Sequence, residues 1–571
     1  MSKPNFDINL VLWGKSMRKL IILIMAMAVI LVAGIGGLYF TAATVNNNTI
    51  YVNANGGNDN NDGYSWSTAK ATILNATQTV SNNGTIYVAN TIYNTTGDCN
   101  ISINKNLTII GESQTGTIIN GERNGDIFNI TPGVTLTLGE LTLENCYATN
   151  GGAINNQGTL IINDCKLQNN TASNYGGAIN NYGNATATIN NNTFYNNNAT
   201  DGGAIINEGD YGTATATINN NTFYNNSAIY VGGAIFNSGN YGLANANINN
   251  NKFVNNHAKG YSGSGGAVDN AGDYGTVTSI INNNTFYNNS AMFVGGAIEN
   301  TGFYGNNTNT AVNGNIFLNN NAMYGGAVIN DGDHGKCLET SIYNNIFLNN
   351  TATDGGALSD AGDYGKVTAT VNNNTIINNA ATDGGGIDNS GDYGNITVTI
   401  NKCTIENNTA LEGGAICNDA DYGNTTALIA NSTIINNTAT HYGGGIDNEG
   451  DYGNTIATIT NNTFSNNNAN DGGGINNAGD YGTTVATANN NTFSNNSATD
   501  QGGVFYNTND DGYANATLTF NQFVTNTFTA VYAFNGQVNA ENNWWGTNFN
   551  GIDPQSAGMT NFKVNTWMNS S

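Results

Sequence analysis

The chain has 571 residues, room for several ordinary domains at ~150 residues each, yet 73 are Gly, only 3 are Pro and the hydrophobic fraction is 39%. That fraction is below the ~45 to 50% of a typical globular protein and excludes several thick cores, while 28 Tyr and 21 Phe at regular intervals exclude a solvated coil. With 14 Lys plus Arg against 39 Asp plus Glu, a formal net charge of −25, the surface repels polyanions, and nucleic acid is not expected as a partner.

Residues 1–43 open with a basic region, Lys15, Arg18 and Lys19, followed by the apolar run Leu20 to Phe40 and then small residues. The pattern predicts an export signal, with Met17 as its expected start, or a membrane anchor if it is not cleaved. Either outcome places the rest of the chain outside the membrane, at the cell surface or secreted. Residues 44–150 hold short alternating runs such as "GTIYVANTIYN" and "VTLTLGELTLENC", which predict irregular β coils. Thr68 to Val80 is amphipathic, with Ala69, Ile73, Ala76 and Val80 on one face, and predicts a short helix closing the end of the stack.

From residue 151 to 530 the sequence repeats. Gly-Gly pairs begin at thirteen positions from Gly151 to Gly502, with steps that settle near 29 or 30 residues. Each unit reads "GGAIxN", a loop "GDYG", a run such as "TATINNNTF", then "YNNxA". A period in this range predicts a solenoid. Asn and Gly occupy the positions where a helix would need helix formers, while Thr, Ile and Phe alternate, so the unit predicts strands at Ala204 to Asn207, Thr215 to Asn219 and Thr222 to Tyr224. The fold class is all-β: a parallel β-helix with one repeat per coil.

Five residues after each first Gly stands Asn in twelve of thirteen units, including Asn207, Asn237, Asn270 and Asn389; the exception is Asp360. A second column includes Asn226, Asn289, Asn379 and Asn496. Stacked amides donate and accept along the column at the ~4.8 Å strand spacing, which predicts structural roles for these residues. Residues 531–571 close the array, with Trp544 and Trp545 as apolar bulk over the last coil.

The units beginning "GGAINNYGNATATINNNTFYNNNAT" resemble the polymorphic outer membrane protein repeats of chlamydial surfaces, "GGAI" with "FxxN". Between Ile50 and Asn548, with the opening "IYVNANGG" and the closing "NNWWGTN", the chain is more similar still to the adhesin-like proteins of methanogenic archaea. The resemblance implies a right-handed β-helix at the cell surface and attachment to glycans or to proteins of other cells.

Ten units carry an aromatic residue nine positions after the first Gly, among them Tyr364, Tyr393, Tyr422, Tyr452 and Tyr481. Most are preceded by Asp, including Asp363, Asp392, Asp421, Asp451 and Asp480. Tyr rings beside carboxylates suit a saccharide ligand, while packing of Tyr across neighbouring loops is the structural alternative. Stacked at ~4.8 Å, neighbouring Asp residues repel by about 0.9 kcal/mol even in water, so the Asp column is expected to bind cations such as Ca²⁺ weakly, although no cofactor is required. Glycoside hydrolysis needs two nearby carboxylates, and Asp354, Asp360 and Asp363, or Asp383, Asp388 and Asp392, could meet that spacing across a coil corner or between coils. No coil departs sharply from the template; the most divergent run, Asp331 to Cys337, still follows it. The expectation is therefore a binding protein and not an enzyme, with a β-helix polysaccharide lyase or glycoside hydrolase as the alternative and Asp333 and Asp363 as its catalytic candidates.

Overall fold

The computed structural model describes residues 48–545, apart from 303, 305, 306, 333, 335–337 and 527–529, together with the strand Lys563–Thr566. The basic and apolar segment expected to direct export lies outside the described residues, as does Asp333. No helix among the described residues is long and apolar enough to cross a membrane.

The coil from Gly202 illustrates how the repeat folds. In Thr213–Asn219 the alternation turns Ala214, Ala216 and Ile218 inward, all buried, and leaves β-branched Thr on the outer face. The strand pairs in parallel with Leu243–Asn249 of the next coil, Ala214 on Ala244 and Ile218 on Ile248. Thr222–Tyr224 buries Phe223, which stacks on Phe194 at 4.7 Å and on Phe253 at 4.8 Å. Ile205–Glu208 follows the Gly pair and turns Ile205 and Asn207 inward. Repeated coil on coil, this gives a parallel β-solenoid with a core one side chain deep.

Two details differ from the sequence reading. The long strand begins at Thr213, because the loop closes as early as Gly212, whose N–H bonds Gly209 O at 2.8 Å. A fourth strand, Ser227–Ala228, carries the "NNxA" segment onto the equivalent residues of both neighbouring coils.

Amides hold the corners. Asn251 Nδ2 donates to Ile218 O at 2.8 Å and to Asn284 Oδ1 at 3.0 Å, while its own Oδ1 accepts from Asn221 N and Nδ2 at 2.9 and 3.0 Å. Because Oδ1 also takes a backbone N–H, flipping the amide would set donor against donor; the sense of the ladder is fixed. Asn226 and Asn256 repeat the arrangement one corner later. In the column after the Gly pair, Asn237 donates to Asn270, and Asn270 to Asn300, at 2.8 and 2.9 Å, and Asn389 donates to Asn418 at 2.7 Å. Asn181 donates to Asn207, which passes its own N–H to Asn245 O.

The Gly pair is required by space. Gly232 has φ +62° and a Cβ there would lie 2.3 Å from Ile235 O; on Gly233 it would lie 2.1 Å from Gly266 O in the next coil.

Toward the N-terminus, Thr49–Val52, Gly84–Val88 and Leu107–Gly111 continue the same sheet. The helix spans Ile73–Thr79, shorter than the amphipathic stretch, with Thr72 Oγ1 accepting from Asn75 N at its start. Ile73, Ala76 and Val80 join the core that contains Ile50. At the other end Trp545 is buried and stacks on Phe523 at 4.3 Å, while Trp544 is partly exposed and pairs its backbone with Asn521. The five cysteines among the described residues are free and buried.

Candidate functional site

The strand after each Gly pair turns two residues outward, the fourth and sixth positions beyond the first Gly. The loop bearing Asp and Tyr stands on one side of them, and the residue just before the Gly pair stands on the other. Stacked over many coils, these positions form a groove along the outside of the solenoid. Its floor is buried although it faces outward: Asp269, Asp388, Cys417, Asp447 and Asn476 each retain 4% exposure or less.

The groove changes character along its length. A cleft of about 160 Å³ has Phe293, Val294, Tyr324 and Ile329 at one end and Asp354, Asp363, Asp388 and Asp392 at the other. A second, of about 190 Å³, lies among Tyr442, Glu449, Asp480, Tyr506 and Asp510. Around the aromatic end of the first cleft, Ile229, Tyr230, Tyr261, Met292 and Met323 expose apolar surface, where the next two coils carry Thr353-Asp354 and Thr382-Asp383.

Carboxylates here are crowded and dry. Burial pushes Asp354 up to about 7, with the charges of Asp383 and Asp392 adding to the effect. Asp388 is raised well above the usual carboxylate range by burial and by Asp354 and Asp419. Asp392 is raised by burial too, but Ser390 Oγ donates to its Oδ1 at 3.1 Å and favours its ionised form. Upstream, Ser264 Oγ donates to Asp269 Oδ2 at 2.6 Å, and the buried Glu299 beside it is raised by burial and by Asp269.

Among the described residues, three groups of carboxylates each bring one oxygen per residue within 4.8 Å of the others: Asp392, Asp419 and Asp421; Glu412, Asp447 and Glu449; Glu449, Asp451 and Asp480. Successive members of the expected Asp column, 392 with 421 and 451 with 480, therefore do meet. They do so through Asp419 and Glu449, which the sequence reading missed because their column holds Ser, Ala or Thr in most other coils. Asp363 lines the first cleft. Asp360 does not join it: it replaces Asn in the inward column, accepts from Asn330 Nδ2 at 2.6 Å, and is pushed up to about 7 by burial.

Tyr364, Tyr393, Tyr422, Tyr452 and Tyr481 stack on one another at 4.7 to 5.0 Å with rings within 7° of parallel. Packing across neighbouring loops is thus present, and each inner ring has both faces covered. What faces solvent, at 53 to 60% exposure, is ring edge and hydroxyl. The first three take φ between 57° and 60°, a left-handed backbone that the adjacent Gly-rich loop accommodates.

Two stretches, residues 402–419 and 492–508, match the repeat of the Chlamydia polymorphic membrane protein. Both run from the strand carrying Ile405 or Phe493 through the next Gly pair, so the match follows the coil. Among curated proteins none matches the chain. Among solved structures, a PL6 family alginate lyase, AlyGC, aligns over 82% of this chain and 98% of its own, at 10% identity and a TM-score of 0.18.

The expectation of a chain without catalytic chemistry is corrected by these clusters. It rested on finding no unusual polar group within one coil, whereas the carboxylates converge from different coils, as Glu412 does with Asp447 and Glu449. Each coil follows the template closely enough to hide its share.

Proposed function

We propose that the chain binds and hydrolyses a polysaccharide laid along the outer groove, with Asp354 as the proton donor and Asp392 as the ionised partner. The carrying observation is Asp354, raised to about 7 by burial and lining a cleft that also offers Phe293 and Tyr324 to a sugar ring. A carboxyl that keeps its proton near neutrality protonates a glycosidic oxygen; a nearby carboxylate supplies the nucleophile or base. The acidic surface favours a neutral glycan over a polyuronate. The decisive assay incubates the protein with neutral and acidic polysaccharides and follows new reducing and new unsaturated ends. Reducing ends without unsaturation, abolished in Asp354→Asn and Asp392→Asn, are expected. Unsaturated ends would replace hydrolysis with elimination, and turnover undiminished in Asp354→Asn would overturn the assignment.

The setting of this chemistry is proposed to be extracellular, on the strength of the basic and apolar segment before residue 44 and the match to a membrane-protein repeat. There the exposed edges and hydroxyls of the Tyr364 to Tyr481 ladder would serve attachment to surface glycans or to proteins of other cells. Binding of immobilised glycans that falls when Tyr393 and Tyr422 are both changed to Ala tests that reading; unchanged binding would sink it.

A further inference from the structure

The second carboxylate group, Glu412, Asp447 and Glu449, differs from the others in what lies at its centre. Asp447 is completely buried. Its Oδ1 accepts from Asn476 Nδ2 of the following coil at 2.8 Å, and its Oδ2 is equally buried with no hydrogen-bond partner. Burying a carboxylate oxygen without a donor is costly, and with Oδ1 committed to Asn476 of the following coil, Oδ2 is the oxygen left for the preceding coil, where Cys417 is the strand partner of Asp447 and Glu412 stands just before the Gly pair. The oxygens of Glu412 and Glu449 come within 4.8 Å of that of Asp447. The basic group seen beside the cluster is His441, whose Nδ1 is 3.7 Å from Glu412, on the outer side. Three carboxylates thus converge around a buried oxygen that has no donor, so something positive must enter: protons or a metal ion.

From this geometry we infer that Glu412, Asp447 and Glu449 form a divalent-cation site joining two coils, with the orphaned Asp447 Oδ2 as its central ligand. Three carboxylates and no sulfur or imidazole inside the group select a hard cation. Crowding of oxygens contributed by separate coils suits the variable coordination of Ca²⁺ better than the strict octahedron of Mg²⁺. Glu449 also lines the 190 Å³ cleft beside Tyr442 and Tyr506, which gives the ion a route from solvent and room for water ligands. The role is structural bridging, and it stands whether or not the groove turns over a glycan.

Calorimetric titration of the chelator-treated full chain with Ca²⁺ tests the site. Wild type is expected to bind with a resolved equivalent that Asp447→Asn and Glu449→Gln each weaken at least 10-fold, whereas Asp388→Asn, a buried carboxylate in the same column two coils earlier, retains it. Asn occupies the Asp447 position at Asn155, Asn180 and Asn476, so the first variant suits the fold, and Glu449→Gln provides a second. Loss of the equivalent in Asp388→Asn as well would point to diffuse charge screening and overturn the site. So would unchanged Ca²⁺ affinity in Asp447→Asn and Glu449→Gln, or a wild type that takes up no Ca²⁺.

Discussion

Asn270 and Asp269 are neighbours in the chain, both without solvent exposure, and their surroundings could hardly differ more. Asn270, turned inward, accepts from Asn237 and donates to Asn300. Asp269, turned outward onto the groove floor, has one oxygen held by Ser264 and meets the carboxyl of Glu299. A neutral amide is both donor and acceptor, so a column of identical amides satisfies itself; a column of carboxylates has acceptors only and needs protons, cations or ligands from outside. The inner face therefore rewards repetition, and the outer face carries whatever variation the chain uses.

Disrupting the inner face should produce the largest effect. Asn251→Leu removes a side chain with four ladder contacts, taking the acceptor from the Asn221 backbone N–H and the amide donor from Ile218 O, while Asn284 Oδ1 keeps only the Asn251 backbone N–H; a loss of about 3 kcal/mol or more is expected, read as a lower urea midpoint by circular dichroism.

Asp360 sharpens the contrast, because there the outer kind of residue sits in the inner column. Its folded pKa is raised to about 7 by burial. The native state thus keeps a proton that the unfolded chain releases above its ordinary value of about 4, so stability is full below that pH and lost as the pH rises toward 7. Asp360→Asn should restore the amide column and raise stability at pH 8 by roughly 2 to 4 kcal/mol, with little gain at pH 4, measured as paired thermal melts.

On the floor itself, Glu299→Gln should relieve the contact with Asp269 while keeping the volume. About 1 kcal/mol of added stability at pH 8 is expected, and destabilisation there would mean that the pair is better satisfied than its charge suggests. The smallest effect belongs to the solvent-facing ladder: Tyr422→Ala, with ring neighbours at 4.9 and 4.7 Å, should cost about 1 kcal/mol or less.

This division also explains what could be read from the sequence. The Gly pairs, the Asn columns and the alternation in "TATATIN" repeat because packing demands them, and they carry the coil and its register directly. The loop Tyr and Asp were visible for the same reason. The groove was not, since its clusters join residues such as Glu412 and Asp447, 35 positions apart, and the Asp447 column holds Cys, Ser, Ile or Asn in other coils. Direction was equally hidden: Asp360 and Asp363 are three residues apart, but one enters the amide column and the other lines a cleft.

The amide bonds span unequal stretches of chain at nearly equal length: Asn226 to Asn256 over 30 residues at 3.0 Å, Asn289 to Asn320 over 31 at 3.1 Å, and Asn251 to Asn284 over 33 at 3.0 Å. Loops absorb the difference, so in genetic terms the heritable unit is a coil. Excising residues 355–383 would join Asp354 to Gly384 with every column still aligned and the stack shorter by a single ~4.8 Å layer. The same recombination would remove Asp360 and Asp363 and bring the aromatic end of the groove one layer closer to Asp388 and Asp392. A gene built this way can vary its reach and redraw its outer surface in one event, without having to find a new fold.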